Sequence, residues 1–441
     1  MIGPVAVPAI AKILIVFVSV LIATRLRAHL GLALVAGGFL LNLWAGLGGG
    51  DSLLNLGRSF LGVELWLMMA ITGLIVEIGR YMTEERNAAT IVGAARAWGG
   101  RHGRAAAMTF MPAVIGLVPM PAGALFSAPF VEQTAGAGRC AHWKSAINYW
   151  FRHVWEYWWP LYPGVIIAMT TFAMVPTWQY LAVQMPFTLV AAGAGFLFLV
   201  RPHVRGLADE AGEGQTAAPT GDRVARLALP LAVVVACLVI LPLVLKLAIP
   251  GSDVKSAQVR QLLAVLLGLA GGLAVVIADE WKHDRGRIFS SLLRKQSVDV
   301  QISLLGVLIF KSMLDQSGLL PLASRELVAS GIPLGIAVAS LPFLAGIVTG
   351  IALGFTGASF PLVVGLMAVP DSGLTPLATL VLAYGFGYMG MMLSPVHLCL
   401  LVTRDYFSSS MFAIYRQIAP CVAAILVFCL GGHFLLRALG W

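Results

Sequence analysis

Charge is what this sequence has least of. Only 11% of its 441 residues are Asp, Glu, Lys or Arg, whereas a soluble domain carries about 25%, and this excludes a water-soluble fold. Cysteine pairing is missing too. Cys140, Cys237, Cys399, Cys421 and Cys429 show no CxxC spacing and mostly lie in apolar stretches, which assigns them to packing rather than to disulfides or metal. No Walker GxxxxGK[ST], HExxH or paired-aspartate motif occurs, so no ATP hydrolysis, cofactor or metal is expected. The first apolar run lacks a basic leader and a small-residue cleavage site, and it reads as a retained span. The alternating short segments of an outer-membrane barrel are absent as well.

What is abundant is apolar sequence: 59% of residues are hydrophobic and the mean hydropathy is +0.89. A membrane-crossing helix takes about 20 such residues, so the chain holds on the order of ten spans. The expected fold is an all-α polytopic membrane protein. Apolar runs lie near 5–24, 30–48, 60–81, 106–135, 147–175 and 179–200, then again near 228–250, 260–279, 298–314, 332–370, 374–403 and 412–436. Between the two sets, residues 201–227 are polar, with the character of a solvated linker. The basic stretch 279–296 reads as an amphipathic arm on the inner membrane surface.

The two sets align with each other. Residues 73–82 match 306–315, 111–118 match 341–348, 123–130 match 357–364, and Pro160 matches Pro395, at offsets between 230 and 235. The chain is therefore read as two repeats, 1–200 and 228–441, joined by the linker. Runs 106–135 and 332–370 are broken by Pro and Gly (Pro112, Pro119, Pro121, Pro129; Pro333, Pro342, Gly354, Gly357, Pro361) and read as re-entrant hairpins. Leaving these out, each repeat crosses five times, which inverts the second relative to the first. Placing the basic residues Arg25, Arg27, Arg86, Arg96, Arg101, Arg104, Arg201, Arg205, Arg285, Arg287 and Lys295 in the cytoplasm puts both termini outside. The net charge of +9 then reflects topology, and no nucleic-acid partner is expected.

Pro160 and Pro395 each remove an N–H and discourage helix at the preceding residue, so the runs 147–175 and 374–403 read as broken helices with exposed backbone at membrane depth. A half-helix N-terminus favours an anion, and Ser394 is placed to cap one, with His397 two residues past Pro395. Arg152, His153 and Glu156 concentrate charge in an apolar run. Two readings stand for them: an i, i+4 Arg152–Glu156 pair beside a packed histidine, or direct contact with a solute or proton. Trp159, with Trp150, Trp155, Trp158, Tyr149, Tyr157 and Tyr162, forms either an interfacial belt or the wall of a solute site, and Asn148 opens this segment. At the hairpin tips, Pro121, Ala122, Gly123 and Ser127, and Thr356, Gly357 and Ser359 with Gly354, offer bare backbone and hydroxyls to a solute or, alternatively, close helix packing. Glu77 and Lys311 are read as scaffold residues that snorkel toward an interface.

The arrangement of scaffold spans, hairpin and broken helix, twice over and inverted, resembles the ion transporter superfamily of gluconate, citrate, dicarboxylate and short-chain fatty-acid permeases. Within it, "GLVPMPAGALFSAPFVE", "NYWFRHVWEYWWPLYPG" and "GFTGASFPLV" are most similar to the DUF401 family of bacterial and archaeal integral membrane proteins. The resemblance implies the superfamily's fold, elevator-type movement against a scaffold that often dimerises, and a prokaryotic cytoplasmic membrane. It implies no substrate, and the Ser-Asn-Thr tripeptide of dicarboxylate relatives is absent from both hairpins. The function expected is secondary active transport of a small polar or anionic solute, coupled to H+ or Na+, rather than catalysis. The alternative is an intramembrane enzyme acting on lipid through Arg152, His153 and Glu156.

Overall fold

The computed structural model describes residues 7–84, 86–87, 89–91, 93–94, 104–117, 123–135, 139–206, 221–250, 253–281, 294–331, 333–368 and 372–441. Every regular element among them is a helix. The first part comprises α1 (Ala9–Arg25), α2 (Leu30–Trp44), α3 (Gly49–Ser59), α4 (Val63–Thr83), α5 (Arg104–Gly116), α6 (Ala124–Ala135), α7 (Ala141–Arg152), α8 (Pro163–Thr171) and α9 (Thr177–Ala194). The second comprises α10 (Gly221–Ala248), α11 (Val254–Glu280), α12 (Lys295–Gln316), α13 (Leu319–Ala329), α14 (Leu334–Thr349), α15 (Ala352–Met367), α16 (Pro376–Met392), α17 (Leu398–Tyr406) and α18 (Met411–Ala438).

Five helical stretches are long and apolar enough to cross a membrane: Thr177–His203, Gly221–Ala248, Val259–Glu280, Ser297–Gln316 and Met411–Ala438. A sixth forms if α3 and α4, bent by 51° at their junction, act as one span. These mark a multi-pass membrane protein. The remaining apolar runs fold into shorter helices, several of them bounded or bent at Pro and Gly. α14 turns into α15 at Gly350, whose φ of +65° is one that side-chain-bearing residues rarely adopt. α5 and α6 also lie against each other.

Packing runs in matched pairs. α2 lies along α12 and α11 along α4; α8 lies against α15 and α17 against α6; α9 meets α18.

Several expectations change at the ends of elements. α3 and α13 are helices that the hydropathy pattern does not announce. α3 hides its polar face inward, where the Asn55 amide donates to Asn42 Oδ1 (2.8 Å) and Ser59 donates to Ser312 (2.9 Å). α13 supplies Glu326, whose carboxylate accepts from the N–H groups of Ala9 and Ile10 at 2.9 and 2.8 Å, filling the role of an N-cap for α1, which has none of its own. Glu326→Ala is expected to lower stability by about 1 kcal/mol, the usual cost of a lost cap, read as a reduced thermal midpoint of the solubilised chain; an unchanged midpoint would show the cap to be idle. The polar linker is shorter than its sequence suggests, since helix continues to Gly206 and α10 begins at Gly221. Most of the basic arm, 282–293, lies outside the described residues, as does 207–220.

Glu77 does not snorkel: it is buried and accepts from Arg80 Nε at 2.7 Å. Lys311 meets Glu64, in the first turn of α4, at 2.7 Å, and this pair is partly exposed.

Candidate functional site

α7 stops at Arg152 and α8 begins at Pro163, leaving residues 153–162 as an irregular segment in the protein interior. The break is wider than Pro160 alone accounts for. It leaves a concentration of donors, Arg152, Trp155, Trp159 and Tyr162, facing the end of α5, whose last carbonyls have no helical partners. Arg152 Nη1 donates to Ile115 O (3.0 Å), Trp155 to Ala113 O (2.8 Å), Trp159 to Leu117 O (2.8 Å) and Tyr162 to Gly116 O (2.5 Å). The backbones touch here: a Cβ on Gly116 would strike the Arg152 carbonyl oxygen. The aromatic cluster is thus an internal set of hydrogen-bond donors and not an interfacial belt. Trp150, Tyr149, Tyr157, Trp159 and Tyr162 are all buried.

The second break repeats this arrangement with smaller groups. α16 ends at Met392 and α17 begins at Leu398. Ser394 donates to Ile347 O at 2.6 Å, and His397 Nδ1 meets Gly350 O at 2.8 Å. Ser394 is not the cap of α17. That position belongs to His397, and Ser394 Oγ accepts instead from Val396 N (3.3 Å) while its own hydrogen goes to the tip of α14.

The two breaks then meet. Tyr149 donates to Met392 O (2.9 Å), and Tyr384 donates to Glu156 O (2.5 Å). These tyrosines stand 235 residues apart, the same offset as Pro160 and Pro395, and each reaches into the other's break. Tyr388 donates to His153 O (2.6 Å), and the Nε2 atoms of His153 and His397 lie 3.1 Å apart. Glu156 Oε1 is 3.8 Å from His153 Nε2. The expected helical Arg152–Glu156 pair does not form, because the helix ends at Arg152 and the two side chains no longer share a face.

Arg152, His153, Glu156, Trp159, Ser394 and His397 are therefore gathered at one junction. Asn148 lies next to it and ties α7 to two further elements, donating to Ala124 O (3.0 Å) and to Thr403 Oγ1 (3.2 Å). Gly123 and Ser127 are buried at the start of α6, and the Ser127 hydroxyl returns to Ala124 O. Pro121 and Ala122 fall outside the described residues. Thr356, Gly357 and Ser359 belong to α15 beyond the tip, which is at Gly350. The hydroxyls of Thr356 and Ser359 bond back to Ala352 O and Phe355 O, and a Cβ on Gly357 would run into Val307 of α12. Gly357 is thus closely packed against α12.

Sequence reasoning missed Tyr384, Tyr388 and Cys399. The tyrosines carried a signal, since they fall 235 residues after Tyr149 and His153. Cys399, assigned to packing, lies with His153 and His397: the thiol sulfur and the ring nitrogens are within 4.8 Å of one another, and all three residues are buried. Among the described residues this is the group whose donor atoms are placed to hold a metal ion.

A family model described as a protein of unknown function, DUF401, matches residues 11–433. The chain is a member of the DUF401 family. No curated protein matches it. The DUF401 match takes in both breaks, both helix pairs that meet them and the three residues of the His–His–Cys group.

Proposed function

We propose that this DUF401 protein is a secondary active transporter of a small polar or anionic solute, built from two inverted repeats and driven by a proton or sodium gradient. The observation that carries the proposal is the junction: two interrupted helices, each fastened to the tip of a short helix pair, cross at buried backbone. Irregular backbone at membrane depth persists where it is enclosed by protein or lines a passage, and transporters place their solutes at such interruptions. The tyrosine exchange at a 235-residue offset and the paired helix packing support the repeat reading.

An anionic solute is favoured by the half-helix α17, which starts at the junction. α17 has no side-chain cap at its N-terminus, so its first N–H groups are open to an anion. In α8, by contrast, Pro163 has no N–H and Val165 and Ile166 donate to Tyr162 O. In this reading the helix pairs are re-entrant hairpins and move with the breaks against α2, α4, α11 and α12 in an elevator fashion. The protein is a homodimer in a prokaryotic cytoplasmic membrane with both termini outside, and it is not an enzyme. The proximity of His153 and Glu156 keeps one rival reading open, a buried acid–base pair acting on lipid.

Uptake into proteoliposomes across a panel of organic anions, with proton and sodium gradients imposed separately, tests the proposal. Gradient-driven accumulation of at least one solute is expected. Ser394→Pro, which removes the bond to Ile347 O and a backbone N–H, is expected to abolish it without preventing membrane insertion. Conversion of a lipid by the purified protein, with no solute accumulated under either gradient, would replace transport with the enzyme reading.

A further inference from the structure

The two histidines at the crossing hold their rings in a defined way. His153 Nδ1 lies 2.6 Å from Tyr149 O, and His397 Nδ1 lies 2.8 Å from Gly350 O. A carbonyl oxygen only accepts, so each Nδ1 is the donor and carries hydrogen. On a neutral ring this leaves Nε2 as a bare lone pair, and the two Nε2 atoms face each other at 3.1 Å. Two lone pairs at that distance repel unless something positive lies between or beside them.

We infer that His153 Nε2, His397 Nε2 and Cys399 Sγ form a buried three-ligand binding site for a borderline-soft divalent metal ion of the Zn2+ class, with the Glu156 carboxylate nearby but outside the three-residue group. Zinc binds imidazole nitrogen at about 2.0–2.1 Å, which makes the N···N edge of its tetrahedron about 3.3 Å, close to the separation seen. With a Zn–S bond of about 2.3 Å the N···S edge is about 3.6 Å. The sulfur already lies within 4.8 Å of both nitrogens, so its approach requires a shift on the order of 1 Å. Glu156 Oε1 stands 3.8 Å from His153 Nε2, on the same break. Backbone carbonyls that receive Nδ1–H and so fix ring and tautomer are the usual outer partners of metal-bound histidine, and both rings have one.

Charge favours a divalent ion over Na+ or K+. The Cys399 thiolate offsets one of the two charges and the Glu156 carboxylate, 3.8 Å from His153 Nε2, stands close enough to offset the other, which a buried site requires. Thiolate and imidazole select borderline-soft transition metals over Ca2+ and Mg2+, which take oxygen ligands. On binding, the Cys399 thiol gives its proton to solvent. The ligands come from both breaks and from the first turn of α17, and Gly350 at the tip of α14 forms part of the outer shell. The ion thus fastens the two interrupted helices to each other. The inference does not depend on transport, because binding is measured on the isolated protein.

The test uses the full-length chain, purified through a histidine-free affinity tag in detergent, stripped with EDTA and reloaded with Zn2+ or Co2+. One equivalent of zinc per chain is expected by elemental analysis. Cobalt is expected to show tetrahedral d–d bands and a thiolate-to-cobalt charge-transfer band. Cys399→Ser should remove the charge-transfer band, whereas Cys140→Ser, at an exposed thiol, should not. His153→Ala and His397→Ala should weaken zinc binding beyond the roughly 10–100-fold that a lost outer-shell partner costs. Gel filtration confirms that each variant is folded, and the wild-type stoichiometry and Cys399→Ser spectrum decide the matter should a histidine variant fail to fold. Substoichiometric zinc in the wild-type protein, or a charge-transfer band that survives Cys399→Ser, overturns the site and leaves a proton shared between the two rings.

Discussion

Arg80→Leu is expected to destabilise the protein by about 3–5 kcal/mol, the cost of leaving buried charge uncompensated. Arg80 donates through Nε to Glu77 (2.7 Å) and through Nη2 to both oxygens of Glu280 (2.6 Å), joining α4 to α11. Glu280 is 3% exposed, so removing the guanidinium takes both of these hydrogen bonds from a carboxylate held away from water. Thermal unfolding of the detergent-solubilised protein, followed by size-exclusion chromatography, reads the effect. The decisive comparison adds Glu280→Gln to Arg80→Leu. This double variant should recover part of the lost stability, since Glu280 no longer carries a charge beside the missing guanidinium. Equal midpoints for Arg80→Leu and wild type would mean that the network contributes nothing.

Gly350→Ala should reduce uptake at least tenfold while leaving insertion intact. The left-handed backbone at Gly350 costs a side-chain-bearing residue roughly 1–2 kcal/mol. In addition, a Cβ there would sit 2.9 Å from both the His397 backbone nitrogen and Ser394 Oγ. Backbone cannot step aside as a side chain can, so the tip of α14 must withdraw from the second break. That loosens the Ser394–Ile347 and His397–Gly350 bonds together. The measurement is initial uptake rate in proteoliposomes, for whichever solute the anion panel identifies, normalised to protein inserted. Wild-type rates in Gly350→Ala would detach the tip from the transport path.

The broad class was legible from composition and run length, because burial in lipid leaves so strong a hydropathic signature. The breaks were also legible, since proline forbids the helical hydrogen bond wherever it stands. Their width was not. Pro160 predicts a broken helix but not its extent, whereas the structure leaves ten residues irregular, among which Trp155, Trp159 and Tyr162, with Arg152 before them, donate to carbonyls at the end of α5. With the helix ended at Arg152, no i, i+4 Arg152–Glu156 pair forms. Thr356, Gly357 and Ser359 looked like a tip because small and hydroxylic residues serve both tight turns and close helix packing. Sequence does not separate the two uses; the structure puts the turn at Gly350 and sets Gly357 against Val307.

The sequence by itself determined that the chain is helical and lipid-embedded, that two long stretches could not continue as helix, and that similar segments recur 230–235 residues apart. Each of these follows from local chemistry: apolar length, proline and residue order. Only the tertiary structure decided which groups meet. His153 and Cys399 stand 246 positions apart in the chain and share a pocket because two interrupted helices cross at their gaps. Such a meeting depends on the packing of every helix between them, and no local pattern encodes it.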